Sequence, residues 1–233
     1  MLIYLMDTSG PSAGVALMED GKIVYEAVVQ NKRTHSESIM PMTEEALLRA
    51  GRTAGDIDYF AAVVGPGSFT GVRIGVTAVK AMAHAAGKPC LAVNALEALA
   101  RGQRAFDGAV APIQDARAGQ VYRAAFANGE RLLPDAPEKL EDFLTVVRER
   151  AAGRGILFVG DGVPPHRERI AAFLGEQARF APPEALYLRP ACAVALAAEH
   201  LEQATDYRAL KPYYLRPPQA VRQKNLVEKA HER

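Results

Sequence analysis

Apolar and polar positions follow two rhythms along this chain, and the order of the rhythms repeats. The opening "LIYLM" is a continuous apolar run that stops at Asp7, the pattern of a strand covered on both faces. "AGVALM" and "KIVYEAVV" follow as strands, and Asp20-Gly21 between them suits a two-residue hairpin turn. "THSESIMPMTEEALLRAG" then changes to helical spacing, with Thr34 and Glu37 at capping-box positions and Gly51 as the stop, in spite of Pro41. "YFAAVVG" reads as a strand, Ser68 to about Ala86 as a second helix, and "PCLAV" as a strand.

The same series starts again at "GAVAPIQDARAG", which runs from apolar strand into an Asp-bearing turn, and "QVYRAAF" leads into Asn128-Gly129. Helix "PEKLEDFLTVVRERAAG", strand "GILFVGDG", a helix from Pro164 to Leu174 and the short "ARFAP" complete it. Asp7 to Gly21 and Asp115 to Gly129 are both separations of fourteen positions, which predicts an internal duplication. "ACAVALAAEHLEQA" has helical propensity, and the chain ends in prolines followed by charge. The predicted organisation is a first subdomain over 1–104 that carries partner-binding helices and a smaller second over 105–190. A helix and extended segment over 191–216 pack back on both, before a charged tail over 217–233.

Two mixed-sheet halves with helices on them predict an α/β protein of the duplicated actin-like, sugar-kinase and Hsp70 class (ASKHA, RNase H-like). In that class the Asp turn after the first strand of each half faces a nucleotide cleft, an analogy that carries architecture and not activity. Composition adds limits. A formal net charge of +1 gives no global field for nucleic acid, and two isolated cysteines argue against a disulfide framework or a structural zinc. The first strand meets Asp7 too early for a signal-peptide core, and no apolar run approaches a membrane span, so a cytoplasmic protein is expected.

"GPGSFTGVRIG", Gly65 to Gly75, is the most specific motif. It lacks the lysine of a Walker loop, and Thr70 stands where a dinucleotide fingerprint needs its third glycine. Together with "MDTSG", "RTHSESIMP", "QDARAGQVY" and "PYYLRPP", it gives the chain, over nearly its whole length, a resemblance to the TsaB (YeaZ) family. The resemblance implies a non-catalytic subunit that binds a TsaD-type catalytic subunit and enables N6-threonylcarbamoylation of adenosine 37 in tRNAs reading ANN codons. It further implies a docking TsaE-type ATPase, a TsaC-type enzyme supplying threonylcarbamoyl-adenylate, a homodimer when the partner is absent, tRNA only as substrate of the complex, and no cofactor of its own. The related catalytic subunit holds a metal with a His-x-x-x-His helix start. In "AVNALEALA" the matching places are Ala95 and Leu99, which have no lone pair to offer.

Helix "FTGVRIGVTAVKAMAHAAG" is apolar nearly all round apart from the stripe Arg73, Thr77, Lys80 and His84, so a second surface is expected to bury it unless a neighbouring helix of the same chain does. Gly71, Gly75, Ala78 and Met82 share one face, which reads as a place for another backbone to approach. The expected partner interface is Ile39, Met40, Thr43, Leu47, Ser68, Phe69, Gly71, Val72, Gly75, Ala78 and Met82. Asp7 with Thr8 and Ser9, and Asp115 with Arg117, read either as cleft residues of a stand-alone small-molecule kinase or ATPase or as ordinary turn chemistry. His35 reads as a hydrogen-bonding residue at a helix terminus, and Gly160 to Gly162 as a strand-to-helix turn. No protease motif is visible.

Overall fold

The computed structural model describes residues 1–31 and 34–216; Lys32, Arg33 and the predicted tail over 217–233 lie outside the described residues. Strands β1 (Leu2–Asp7), β2 (Ala13–Glu19) and β3 (Lys22–Val29) form an antiparallel meander, followed by helix α1 (His35–Ala50). Strand β4 (Tyr59–Gly65), helix α2 (Phe69–Ala86) and strand β5 (Cys90–Asn94) complete a sheet of order β3-β2-β1-β4-β5, and α3 (Ala95–Arg101) leaves it. The second half repeats the plan with β6 (Ala109–Asp115), β7 (Gln120–Ala127), β8 (Glu130–Lys139), α4 (Leu140–Ala151), β9 (Ile156–Val159), α5 (Val163–Leu174) and β10 (Ala178–Phe180). Its order, β10-β9-β6-β7-β8, is the first sheet's order read backwards, so the duplication holds strand for strand. Both hairpins turn on two residues of positive φ, Asp20 and Gly21 at 47° and 79°, Asn128 and Gly129 at 53° and 82°. That is the turn whose twist matches the strands it joins.

Alternation along β1 divides the core. Tyr4 and Met6 face α1 and α2 with Phe60, Val72, Val76 and Val79, whereas Ile3 and Leu5 face a second cluster with Ala61, Val63, Leu96, Val110, Phe126 and Val194. That second cluster holds α3 and α6 (Pro190–Ala198), which fill the space between the sheets. A helix covered from both sides needs no polar stripe, and "PACAVALAA" has none. Helices α4 and α5 cover the outer face of the second sheet through Phe143, Leu144, Val147 and Ile170, in one cluster with Phe158 of β9.

Two local expectations change. Thr34 is the N-cap of α1, but its hydroxyl donates to the Glu37 carboxylate at 2.9 Å instead of accepting from the helix backbone, so the predicted capping box does not form. Gly51 does end α1 in the left-handed conformation, and Ser68 does cap α2 by accepting the Gly71 N–H at 3.2 Å.

The second change concerns the glycine stretch. A Cβ at Gly67 would collide with the Ser9 carbonyl, one at Gly71 with the Thr8 carbonyl, and one at Gly75 would lie 2.5 Å from Thr8 Oγ1. The glycine face of α2 is therefore turned inward onto the turn after β1, where Thr8 Oγ1 donates to the Gly71 carbonyl at 2.7 Å and the Ser68 N–H to the Ser9 carbonyl at 2.8 Å. Another backbone does approach these glycines; it belongs to this chain. Gly71, Gly75, Val72, Ile39 and Thr43 are buried within the first half and are removed from the expected partner surface.

Gly71→Ala therefore meets backbone that cannot swing aside, while Gly75→Ala meets the end of a side chain. Overpacking costs about 1–3 kcal/mol, against about 0.5–1 kcal/mol gained when alanine replaces glycine within a helix. We expect Gly71→Ala to be clearly destabilising and Gly75→Ala much less so, with Thr8→Ala narrowing the cost of the Gly75 change, all read by urea unfolding.

Candidate functional site

Five segments converge on a cleft of about 530 Å³ between the halves: the turn after β1 at Ser9, Gly10 and Pro11, the loop Pro66 to Thr70, the end of β6 with Asp115 and Arg117, Asp161 after β9, and Tyr213 to Arg216. Their convergence follows from the duplication, because each half presents the carboxyl end of its first strand to the other.

The two aspartates of the predicted turns do the same local work. Asp7 Oδ1 accepts the Ser9 N–H and Asp115 Oδ1 accepts the Arg117 N–H, each at 2.8 Å. Both are turn-forming contacts to the backbone two residues on. Arg117 and Ala118 have φ of 67° and 53°, closing the β6–β7 hairpin, and the Arg117 side chain is 88% exposed. Asp7 is buried, which raises its pKa, with the Ser9 N–H and the nearby Ser9 hydroxyl opposing. Gly160 carries φ of 107° because its backbone lies against the Ile113 carbonyl, so the "GDG" turn is a close strand crossing. Asp161 inside it is pushed up to about 6, chiefly by burial, with the Asp115 backbone N–H and Arg117 lowering it and the Asp115 charge raising it. His35 Nε2 lies 2.9 Å from the Gly10 carbonyl, a terminus contact as expected.

The segment that reasoning from sequence left out of the site is the strap at Tyr213 to Arg216. Its Tyr213 N–H donates to the Val64 carbonyl at 2.8 Å, Tyr214 stacks on Phe69 with centroids 4.9 Å apart, and Arg216 donates to the Ala116 carbonyl at 3.0 Å. It therefore ties the first half to the second across the cleft mouth. "PYYLRPP" carries no chemical motif that announces this.

A second feature lies on the outside of the first half. Of the eleven expected interface residues, Met40 and Ser68 are exposed and Leu47, Phe69, Ala78 and Met82 half-buried. Ser68 and Phe69 sit at the cleft, the others on the helix pair. Leu48, at 78% exposure the barest large apolar side chain among the described residues, extends the α1 part of this surface one turn beyond Glu44, and Ile74 extends the α2 part. Leu48 was legible in principle, since Met40, Glu44 and Leu48 share one face at four-residue spacing. Ala95 and Leu99 are buried between the sheets. No helix among the described residues is long and apolar enough to cross a membrane.

Duplicated mixed sheets, a cleft between them and two Asp turns at its floor define the class: a two-lobed actin-like fold. The model for TsaD, tRNA N6-adenosine threonylcarbamoyltransferase, matches residues 24–222. The tRNA threonylcarbamoyladenosine biosynthesis protein TsaB of Bacillus subtilis is 35% identical over 224 residues, covering 94% of this chain and 96% of its own. TsaB of Escherichia coli is 36% identical over 132 residues, 56% of this chain and 57% of its own. The solved structure of YeaZ from Pseudomonas aeruginosa superposes with a TM-score of 0.74 at 26% identity, covering 92% of this chain and 99% of that one. The chain belongs to the TsaB (YeaZ) family, within the wider family of TsaD.

Because Asp161 keeps its proton in the fold up to about pH 6 while an unfolded aspartate loses it near 3.8, the native state holds the extra proton between those values. Stability from this group therefore falls as pH rises through that window and stays low above it. Asp161→Asn should flatten that slope and stabilise the protein at pH 8, by on the order of 1–3 kcal/mol, in denaturant titrations across pH 4 to 8 in choline-salt buffers free of alkali-metal and ammonium ions.

Proposed function

We propose that this chain is a non-catalytic scaffold subunit in the synthesis of N6-threonylcarbamoyladenosine at position 37 of tRNAs reading ANN codons. It binds a TsaD-type catalytic subunit through the outer face of α1 and α2, and pairs with itself through the same face when that partner is absent. The observation that carries this reading is the exposed pair Met40 and Leu48 on α1, flanked by Leu47 and by Ile74, Ala78 and Met82 of α2, which are only half-buried where they pack on the core. An exposed apolar surface on a well-packed domain marks an interaction site. Ala95 and Leu99 support the non-catalytic part, since neither side chain can ligate a metal at the place where the resemblance puts the relative's histidines. A TsaE-type ATPase docks on the pair, and tRNA is met only as the substrate of the complex.

The cleft favours a second reading, a stand-alone small-molecule kinase or ATPase. Against it, Asp7 and Asp115 are engaged by their own turns, and no lysine among the described residues lines the cleft. Nucleotide turnover by the purified chain alone, undiminished by removal of any partner, would establish that reading instead.

Met40→Asp with Leu48→Asp changes two exposed side chains and should leave the melting temperature nearly unchanged. It should weaken association with the TsaD-type subunit by roughly ten- to a hundredfold, the loss of two ordinary interface anchors. It should also shift the isolated chain toward monomer in size-exclusion with light scattering. Wild-type affinity in the double variant would sink the proposed interface.

A further inference from the structure

Beneath the cleft, three buried oxygen atoms have no partner in hydrogen-bond geometry among the described residues: Gln114 Oε1, Asp161 Oδ1 and Ser9 Oγ, the last lying beside the Asp7 carboxylate. Ser9 and Gln114 are only 1% and 4% exposed, so bulk water does not serve them. All three residues line one recess of about 10 Å³, together with Asp7, Gly10, Leu99 and Gly160 among others. A space of that size holds a single water-sized particle. The three oxygens come from the turn after β1, the end of β6 and the turn after β9, so both halves contribute to it.

The recess also brings the buried carboxylate of Asp7 near the half-buried one of Asp161, which lines the cleft as well. Neither Asp7 nor Asp161 has an ion-pair partner within 4 Å among the described residues; Arg117 lies at 4.0 Å from Asp115 instead, and His35 is spent on the Gly10 carbonyl. A buried charge is normally paired or bound to a metal ion, because an isolated one loses its hydration without compensation. Gln114 Oε1 is an acceptor only, and so is an ionised Asp161 oxygen, while Ser9 Oγ has lone pairs to give. An all-oxygen set of this kind suits a hard cation.

We propose that this recess binds a monovalent cation close to the size of water, potassium or ammonium, held by Ser9 Oγ, Gln114 Oε1 and Asp161 Oδ1 and pinning the two halves together. Magnesium does not fit, since it demands an octahedron at about 2.0–2.1 Å and keeps several of its waters. A neutral water would satisfy the three oxygens but bring no positive charge to the two carboxylates, which have only N–H and hydroxyl donors and more distant charges around them.

Thermal unfolding of the intact chain in the low-millimolar range, at constant ionic strength made up with choline chloride, reads this site directly. Potassium or ammonium should raise the melting temperature with a saturating dependence, by about 3–6 °C at tenfold above its dissociation constant. Lithium and magnesium should not, and Asp161→Asn should abolish the selectivity. Wild-type crystals soaked in rubidium chloride should show an anomalous peak among the three oxygens, which decides the matter even if the variant fails to fold. A melting temperature indifferent to the ion, or an ordinary water at that point without anomalous signal, overturns the proposal.

Discussion

The structure depends on how closely α2 lies on the turn after β1. Helix and turn touch backbone to backbone at Gly67 and Gly71, and the contact is sealed by the bonds from Ser68 N–H to the Ser9 carbonyl and from Thr8 Oγ1 to the Gly71 carbonyl. Any side chain at those glycines would lift the helix away. Lifting it would move Phe69 from Tyr214, loosen the strap at the cleft mouth and shift the outer face that α2 shares with α1. One steric constraint thus sets both the cleft and the exposed apolar surface.

Duplication did not make the halves equal. The second half repeats the close crossing after its fourth strand, with Gly160 and Gly162 against Ile113, but α5 then begins with Val163 and two prolines and carries no glycine face. It therefore has no counterpart of the α2 packing on Thr8. Sheet and helix order were copied; the device that draws a helix down onto the Asp turn belongs to the first half alone.

The two halves are joined by apolar packing in the middle and by polar clasps around it. Helices α3 and α6 supply the packing. Asn94 and Arg131 both bond Asp135, Arg131 reaches Glu97 at 3.0 Å, and Glu26 holds Arg189 and the Ala191 N–H, so β8 and the segment before α6 are tied to the first half. Partly exposed ion pairs contribute little individually. Their value here is geometric, since they fix the angle at which the two Asp turns confront each other across the cleft.

Local signals in the sequence determined most of the fold. The apolar run to Asp7, the Asp20-Gly21 and Asn128-Gly129 turns, and the change from strand to helical spacing act over a few residues, and each element formed within a few positions of where they point. Burial of Gly71 and Gly75 was not legible, because a small-residue face announces a close approach without saying whose backbone approaches. The failed capping box has a similar cause: Thr34 and Glu37 have the right spacing, but the hydroxyl found the carboxylate. Only the tertiary structure decided that Ser9, Gln114 and Asp161, from segments more than a hundred residues apart at the extremes, share one recess, and that Tyr213 to Arg216 closes the cleft above them. Periodicity records which side of an element is covered; what covers it is a long-range choice made by packing.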